Sequence, residues 1–329
     1  MEKYVSKLNV LETQKAIRSL RHRFEENLCD ALNLTRASAP LFVKKGSGLN
    51  DDLNGVERPV AFDILQTGEE VEVVHSLAKW KRMALAKYNF PLHTGLYTDM
   101  NAIRRDETCD QLHSLYVDQW DWEKVISKED RTEDYLKDTV RRIYAAIVAT
   151  ADSIERKYTE LPNYLPRDIK FITTLELEEK YPDLTPKQRE DKICKESGAV
   201  FLMQIGGRLK NGEKHDGRAP DYDDWTLNGD LLVYNRVIDR AFELSSMGIR
   251  VDKAALLRQL KAENKEERLE LPFHKALMND ELPLTIGGGI GQSRLCMLLL
   301  HKAHIGEVHA SVWPQSEIDF CREIGAVLL

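Results

Sequence analysis

The sequence feature that most constrains the fold is a glycine run close to the C-terminal end of the chain. Residues 287–291 read GGGIG, and Gln292, Ser293 and Arg294 lead from them into the apolar run LCMLLL. Glycines let a ligand approach the backbone closely, a helix N-terminus offers free N–H groups to anions, and an arginine there suits phosphate. We therefore predict a glycine-rich loop followed by a helix that starts near Gln292. No parallel βαβ unit and no acidic ribose partner frame this run, which argues against a dinucleotide fingerprint.

The order of strand-like and helix-like patterns in the rest of the chain indicates the fold class. Apolar positions three and four residues apart predict long helices over residues 2–32 and Glu133–Tyr158. Strands are predicted in succession or as hairpins, with helices interspersed irregularly, over Leu96–Arg104, His113–Trp122, Ala199–Ile205, Asp230–Asn235 and Ala241–Val251. This order favours an α+β fold, with a mainly antiparallel sheet flanked by helices. No linker divides the chain, so we expect a single domain over residues 1–329.

Composition and charge limit the partners of the chain. The formal net charge is −7 at pH 7 without a block of like charges, so the chain is a poor candidate for binding a nucleic-acid backbone. The five cysteines form no CxxC pair, which argues against a zinc site or a disulfide framework. The N-terminus has no apolar stretch of signal-peptide length, and the longest apolar run, near Leu295–Leu300, is too short to span a bilayer. We therefore expect a cytoplasmic protein with no nucleic-acid and no membrane partner.

Three segments together resemble the sequence motifs of a known superfamily. GGGIGQSRL is similar to motif 3 of the class II aminoacyl-tRNA synthetases, and Ile103–Asp106 with the returning segment LHSLYVDQWDWE resembles their motif 2. Residues 2–32 and Pro40 match motif 1, which lies at the dimer interface in that superfamily. Within it, the chain resembles the ammonia-dependent asparagine synthetases (aspartate–ammonia ligases) in the strings VVHSLAKWKR, GLYT, YVDQWDWE, RAPDYDDW, LNGD, AFELSSMGIRV and TIGGGIGQSRL.

That resemblance implies an activity and a nucleotide site. It implies ATP-dependent amidation of aspartate by ammonia, through a β-aspartyl-adenylate, to give asparagine, AMP and pyrophosphate. Arg104 and Arg294 would be the catalytic cations on the phosphates, and Asp230 and Glu243 would bind Mg²⁺. The resemblance also implies a homodimer, and it places these further residues around the nucleotide: Asp106, Glu107, Leu244, Ser245, Ser246, Gly289 and Gly291.

An amino-acid substrate needs an anion for its ammonium group and a cation for its carboxylate. The candidate hydrogen-bond acceptors are Asp51, Asp118, Gln119 and Asp121. Asp118 and Asp121 are three residues apart, so a regular strand cannot point both at the site, and one of them is expected to be structural.

The cation for the substrate carboxylate is expected from a predicted helix. Lys81 is the first choice and Lys79 the alternative, because the two lie about 200° apart around a helix and only one can face the site. Arg250 is a candidate for a substrate carboxylate or a phosphate. It is seven residues from Glu243, so a bulge near Gly248 is needed to bring both to one face.

The acidic string RAPDYDDW is a candidate for handling ammonia. Arg218 is assigned to the substrate site, and Asp223 is expected to bind ammonium or accept its proton, because a desolvated carboxylate can act as a base. Position 2 is Glu2, whereas enzymes that draw nitrogen from glutamine through an N-terminal thiol place a cysteine there, so free ammonia is the expected donor.

Three other functions compete with this one. The first is an aspartyl- or asparaginyl-tRNA synthetase, which should carry an anticodon-binding domain and a basic surface. The second is a synthetase-like binding protein without catalysis, which should have lost the arginines or carboxylates of the site. The third is a biotin- or lipoate-type ligase, which shares the broader fold but has no reason to keep the two arginines and two carboxylates.

His75 and His113 alternate with apolar residues and are expected to be core histidines. Trp80, Trp120 and Trp122 are expected to pack in the core.

Overall fold

The computed structural model describes residues 4–51, 53 and 57–329. These residues form strands β1 (Leu34–Arg36), β2 (Phe42–Lys44), β3 (Ala61–Asp63), β4 (Glu70–Val73), β5 (Gly95–Ile103), β6 (Tyr116–Val125), β7 (Lys170–Thr173), β8 (Ala199–Met203), β9 (Asp223–Asn235), β10 (Arg240–Arg250) and β11 (Thr285–Gly291). The α-helices are α1 (Val10–Leu32), α2 (Ala78–Lys87), α3 (Glu133–Lys157), α4 (Thr174–Lys180), α5 (Pro186–Ser197), α6 (Lys253–Ala262), α7 (Pro272–Met278), α8 (Gln292–Leu299) and α9 (Gln315–Ile324).

The main sheet has eight strands in the order β1-β5-β6-β11-β10-β9-β8-β7. The β1–β5 and β7–β8 pairs at its two edges are parallel, and the other five pairs are antiparallel. A separate antiparallel sheet has the order β2-β4-β3. The prediction of a mainly antiparallel α+β fold is confirmed. The patterns did not predict the short elements β3, α4 and α9.

The helix predicted over residues 2–32 begins later than expected. α1 starts at Val10 because Asn9 caps it: the Asn9 side chain accepts a hydrogen bond from the Glu12 N–H, and the Glu12 carboxylate accepts one from the Asn9 N–H. Residues 4–9 precede the helix in non-helical conformation, and residues 2 and 3 lie outside the described part of the chain.

The glycine run is a strand, so the prediction of a loop there is wrong. β11 lies between β6 and β10 in the middle of the sheet, and Gly289 is opposite Asp121 on one side and Ser246 on the other. Ladder hydrogen bonds to β6 and β10 outweigh the low strand propensity of glycine, because they pair the backbone groups of a buried segment. The helix predicted from Gln292 is confirmed as α8.

The two faces of the main sheet differ in chemistry. One face belongs to the largest hydrophobic core, where Trp120 and Trp122 of β6 pack with residues of α1, α3 and α8, and the ring centroids of Trp120 and Phe24 are 4.7 Å apart. Because successive strand residues point to opposite faces, the neighbours of these tryptophans point to the other face. In the described residues, no helix is long and apolar enough to cross a membrane.

Candidate active site

A cavity of about 420 Å³ opens on the polar face of the main sheet, a volume within the range of small-molecule sites. Its wall contains nearly all of the site residues that were predicted from the sequence. The predicted residues in its wall are Asp51, Lys81, Arg104, Asp106, Glu107, Asp118, Gln119, Asp121, Arg218, Asp223, Glu243, Leu244, Ser245, Ser246, Arg250, Gly289, Gly291 and Arg294. Of the predicted set, only Asp230 is absent from this wall.

The glycines of β11 make space for the polar side chains of the strand beside them. A Cβ atom at Gly289 would lie 2.7 Å from the Asp121 Oδ1 and would overlap the end of Gln119, while one at Gly287 would overlap the carboxylate of Glu123. Gln119, Asp121 and Glu123 therefore lie over a part of β11 in which the residues on that face, Gly287, Gly289 and Gly291, have no side chains. The glycine run is the floor of the site.

Glu123 is a central residue that the sequence analysis missed. Its carboxylate accepts hydrogen bonds from Arg250 Nη2 at 2.8 Å and from Thr285 Oγ1 at 2.7 Å. Burial alone would raise the pKa of Glu123, but the charge and hydrogen bonds of Arg250, with the charge of Lys81, lower it. A strict two-residue alternation from Gln119 through Asp121 would have selected Glu123, which ends the quoted string YVDQWDWE.

Arg250 lies between two carboxylates of the site. It donates to Glu123, and its Nη1 lies 2.5 Å from the Asp223 Oδ1. The expected irregularity in β10 is present, with register shifts between Glu243 and Ser245 and between Gly248 and Arg250, so Glu243 and Arg250 both reach the cavity. Burial raises the pKa of Asp223, although the charges of Arg250 and Arg218 oppose this.

Lys79 and Lys81 of α2 are both buried, but their ammonium groups lie in different places. The Lys81 Nζ lies 3.0 Å from the Gly288 carbonyl oxygen and 3.3 Å from the Asp121 Oδ2, in the wall of the cavity. The Lys79 Nζ lies 3.2 Å from the Asp221 Oδ2, outside the wall of this cavity. Burial lowers the pKa of Lys81, and the charge of Asp121 opposes that shift. The structure thus places the preferred lysine at the site.

Acidic groups and a tyrosine lie near Lys81. Asp51 is buried, and its Oδ2 accepts a hydrogen bond from the Ser76 hydroxyl at 3.3 Å. Tyr222, which was not predicted, also lines the cavity. Burial raises the pKa of Tyr222, and the charges of Asp51 and Asp223 raise it further. These residues, with Asp121, make this part of the cavity suitable for a group that carries positive charge.

Arg104 and Arg294 lie where an anion can reach them. Arg104 Nη1 is 3.9 Å from Glu107, and its buried Nε donates to no group among the described residues. Arg294 Nη1 donates to the Glu243 carbonyl oxygen at 3.1 Å and lies 3.6 Å from the Glu243 carboxylate. Each arginine keeps about a quarter of its side chain exposed, 23% and 24% respectively, so both can bind a ligand in the cavity.

Asp106, another predicted residue of the β5–β6 loop, already has an arginine partner. Asp106 accepts hydrogen bonds from the backbone N–H of Arg58 at 2.9 Å and from its guanidinium at 2.5 Å. Those hydrogen bonds lower the pKa of Asp106.

The two carboxylates predicted to bind a metal differ in whether they face the cavity. Glu243 lines the cavity, whereas Asp230 lies behind Arg218, which forms a hydrogen-bonded ion pair with it. Burial raises the pKa of Asp230 to about 7 although Arg218 opposes this, and the charge of Glu243 contributes to the rise. Within the described ranges, no group of three or more His, Cys, Asp or Glu side chains is arranged to hold a metal ion.

Asp118 occupies a different environment from Asp121, as their three-residue spacing predicts. Its carboxylate accepts hydrogen bonds from Arg21 at 2.7 Å and from the hydroxyl of Ser293 at 2.8 Å. Asp121 instead accepts from the backbone N–H of Leu77 and faces Lys81. Both carboxylate oxygens of Asp118 therefore already accept hydrogen bonds from protein groups, those of Arg21 and Ser293.

The histidine and tryptophan predictions are mostly confirmed. His75 is buried and its Nδ1 lies 2.8 Å from the Asp51 carbonyl oxygen. Trp120 and Trp122 belong to the core, and Trp80 packs against two smaller apolar clusters. The prediction for His113 is wrong: its side chain is 37% exposed, pairs with Asp110 and lines the cavity, because it lies in the β5–β6 loop and not in a strand.

The chain matches known proteins in sequence and in fold. The family model described as aspartate–ammonia ligase matches residues 11–325. The aspartate–ammonia ligase of Clostridium perfringens (strain SM101) is 61% identical over 99% of this chain and 97% of its own length. The aspartate–ammonia ligase of Levilactobacillus brevis is 57% identical over 100% of this chain and 98% of its own length. The solved structure of the Pyrococcus horikoshii asparaginyl-tRNA synthetase complexed with asparaginyl-adenylate has a TM-score of 0.66 at 13% identity, covering 93% of this chain and 70% of that chain.

The structural likeness establishes the class of the fold, which is the catalytic fold of the class II aminoacyl-tRNA synthetases. The sequence match is closer and extends over nearly the whole chain. The chain belongs to the aspartate–ammonia ligase family.

Proposed function

We propose that this protein uses ATP to join L-aspartate and ammonia into L-asparagine, with AMP and pyrophosphate as the other products. Family membership supports the overall reaction. The observation that carries the mechanism is that one cavity combines two accessible arginines with a buried lysine and several carboxylates. ATP and an acidic amino acid together require that combination of charges.

The first step is activation of the substrate carboxylate. The side-chain carboxylate of aspartate attacks the α-phosphorus of ATP, a phosphorus–oxygen bond to pyrophosphate breaks, and β-aspartyl-adenylate forms. Arg104 and Arg294 bind the phosphate oxygens and stabilise the charge that develops on them. Both guanidinium groups lie in the wall of the cavity, Arg104 from the β5–β6 loop and Arg294 from the first turn of α8.

The second step consumes the adenylate. Ammonia attacks the activated carbonyl carbon, the bond to AMP breaks, and the proton that the nitrogen loses goes to a base. Asp223 is that base in our proposal, because burial raises its pKa and Arg250 fixes its position. Lys81 binds a carboxylate of aspartate, while Asp51, Gln119 and Asp121 accept hydrogen bonds from its ammonium group. Arg218 and Arg250 hold the acidic side chains around the substrate.

Glu243 and Asp230 would hold Mg²⁺, which would neutralise charge on the ATP phosphates. Mg²⁺ takes one or two carboxylates and fills its other positions with phosphate oxygens and water, so Glu243 in the cavity wall is enough as a first ligand, and Asp230 would join it only if its ion pair with Arg218 opened. Glu243 faces the cavity with a pKa lowered by Arg294 and Arg218 against the effect of burial, so it is the primary ligand in this proposal.

We also propose that residues 1–329 act as a single catalytic domain, that the protein works in the cytoplasm, and that it forms a homodimer through α1. The apolar side chains of Val5, which precedes α1, and of Val10 and Leu11 in its first turn are 70%, 45% and 65% exposed, which supports a partner there. Sedimentation analysis of the wild type and a Leu11→Glu variant tests the dimer, which the variant should weaken.

The reaction itself is tested by exchange of labelled pyrophosphate into ATP. Exchange should depend on aspartate, and ammonia should then give asparagine and AMP in equal amounts. Glutamine should not replace ammonia, and transfer of aspartate to tRNA should be absent. Release of ADP would overturn the adenylate mechanism, and charging of tRNA would favour a synthetase.

A further inference from the structure

A cluster of four polar side chains lies where β6, α1 and α8 meet. Asp118 is at its centre, and Arg21, Ser293 and His309 surround it. All except Arg21 are almost fully buried. Arg21 is outside the wall of the cavity, and its side chain is 30% exposed.

The contacts of Asp118 provide the N-terminal cap that α8 lacks. Gly291 is the N-cap residue of α8 and has no side chain with which to cap it. The Asp118 Oδ1 accepts a hydrogen bond from the backbone N–H of Ser293 at 3.0 Å, and its Oδ2 accepts one from the Ser293 hydroxyl at 2.8 Å. A carboxylate in the first turn is also favoured by the helix dipole. The cap is therefore supplied by a different strand.

The contacts of His309 connect it to the serine that Asp118 caps. His309 Nε2 lies 2.9 Å from the Tyr116 carbonyl oxygen, which can only accept, so Nε2 carries a proton. His309 Nδ1 lies 2.8 Å from the Ser293 hydroxyl, which also donates to Asp118. His309 therefore helps to fix the Ser293 side chain beside Asp118.

The geometry is not that of a nucleophilic triad. In such a triad the carboxylate orients the histidine, and the opposite ring nitrogen activates the serine. Here the carboxylate binds the serine directly, and Nδ1 of His309 faces both Ser293 at 2.8 Å and Asp118 at 3.5 Å. Burial alone would raise the pKa of Asp118, but the hydrogen bond from His309 and the charge of Arg21 hold it at about 2. Asp118 is therefore ionised at neutral pH, and the cluster is a structural support.

We propose that Asp118, held by Arg21 and His309, is a positioning residue for ATP binding, not a ligand of aspartate. It fixes the first turn of α8, and Arg294 is the next residue after the serine that it caps. This inference rests on the proposed function, since it assigns Arg294 to the phosphates. Arg21 lies on the opposite face of the sheet from the substrates. Through Asp118 and Ser293 it influences the orientation of Arg294.

The test compares two arginines of the same helix. Arg21→Gln removes the outer support of Asp118, and Arg23→Gln removes an exposed arginine that pairs only with Glu26 among the described residues. Arg21→Gln should raise the KM for ATP several-fold and leave the KM for aspartate unchanged, while Arg23→Gln should change neither. Asp118→Asn should raise the KM for ATP on the order of tenfold, because a charge-assisted hydrogen bond is lost.

The outcomes separate this inference from the proposed function. Binding of ATP is measured by calorimetry as well as through the reaction, so a loss of affinity is visible even if the assumed reaction is wrong. A rise in the KM for aspartate with no change for ATP would show that Asp118 binds the amino acid and would overturn the inference. If Asp118→Asn does not fold, Arg21→Gln alone decides, and unchanged ATP affinity in that variant would also overturn it.

Discussion

Replacement of Gly289 by alanine should impair aspartate binding much more than stability. The new Cβ would lie 2.7 Å from the Asp121 Oδ1, and ordinary contact begins at 3.4 Å, so this carboxylate must retreat by about 0.7 Å. The end of Gln119 must move further. Displacements approaching 1 Å at reacting or positioning groups can lower a rate about 100-fold, and we expect kcat/KM for aspartate to fall on that order.

The stability of the same variant should change little. The atoms that the new methyl group meets first are side-chain ends, which can rotate, and the backbone of β11 is extended without a positive φ at this residue. Alanine also removes about 0.5–1 kcal/mol of the entropic disadvantage of glycine in a strand. Thermal unfolding should therefore stay within a few degrees of the wild type.

Gly288→Ala is the matched control for that experiment. Its Cβ would point to the other face and lie 2.5 Å from the Cβ of Met247, a fully buried core residue that cannot easily move. It should lower the unfolding temperature clearly, while the molecules that remain folded keep their KM for aspartate. Unchanged kcat/KM in Gly289→Ala, or the same loss of stability in both variants, would refute the view of β11 as a floor shaped for Gln119 and Asp121.

Three further predictions concern charged groups. Lys81→Met should raise the KM for aspartate at least tenfold, whereas Lys79→Met should act mainly on unfolding temperature, since Lys79 pairs with Asp221 outside the cavity. Arg104→Ala should abolish aspartate-dependent pyrophosphate exchange and Arg105→Ala, at an exposed neighbouring position, should not. Asp230 has a folded-state pKa raised to about 7, so it binds its proton more tightly when folded, and its contribution to stability is lost as the pH rises from about 4 through 7. Unfolding temperatures of Asp230→Asn should lack that part of the pH dependence, and an unchanged slope would contradict the raised pKa.

The fold was largely predictable because long periodic segments carry most of it. The helix predicted over Glu133–Tyr158 is α3, and the strand predicted over Ala241–Val251 is β10, each within a residue at either end. The β11 strand was not predictable from pattern, because glycine has no side chain to show alternation and usually marks a turn. Only pairing with β6 and β10, a property of the folded sheet, gives this segment its conformation.

Most residues of the cavity wall were predictable, but their partners were not. The resemblance to a known family selected the two arginines, the carboxylates for the metal and the nucleotide-site residues, and the charges that an amino-acid substrate needs selected the others. The sequence does not show that Arg218 pairs with Asp230, a contact that keeps Asp230 out of the cavity wall. Nor does it show that Arg21 contacts Asp118, which is 97 residues away in the chain. Those contacts depend on which strands become neighbours.

When an active site lies on the face of a sheet, the polar residues of an alternating strand pattern no longer indicate a face exposed to water. In most strands the polar face meets water, and its residues can be exchanged with little effect on stability. In β6 both faces are buried: tryptophans fill one, and Gln119, Asp121 and Glu123 line or underlie the cavity on the other. Burying Asp121 and Glu123 is unfavourable unless each has partners, and Lys81, Arg250 and the glycine floor provide the ions and the space. Polar residues that alternate with large aromatic residues in one strand therefore indicate a buried polar face only once its neighbour is known, because the glycine run beside β6 shows no strand pattern in the sequence.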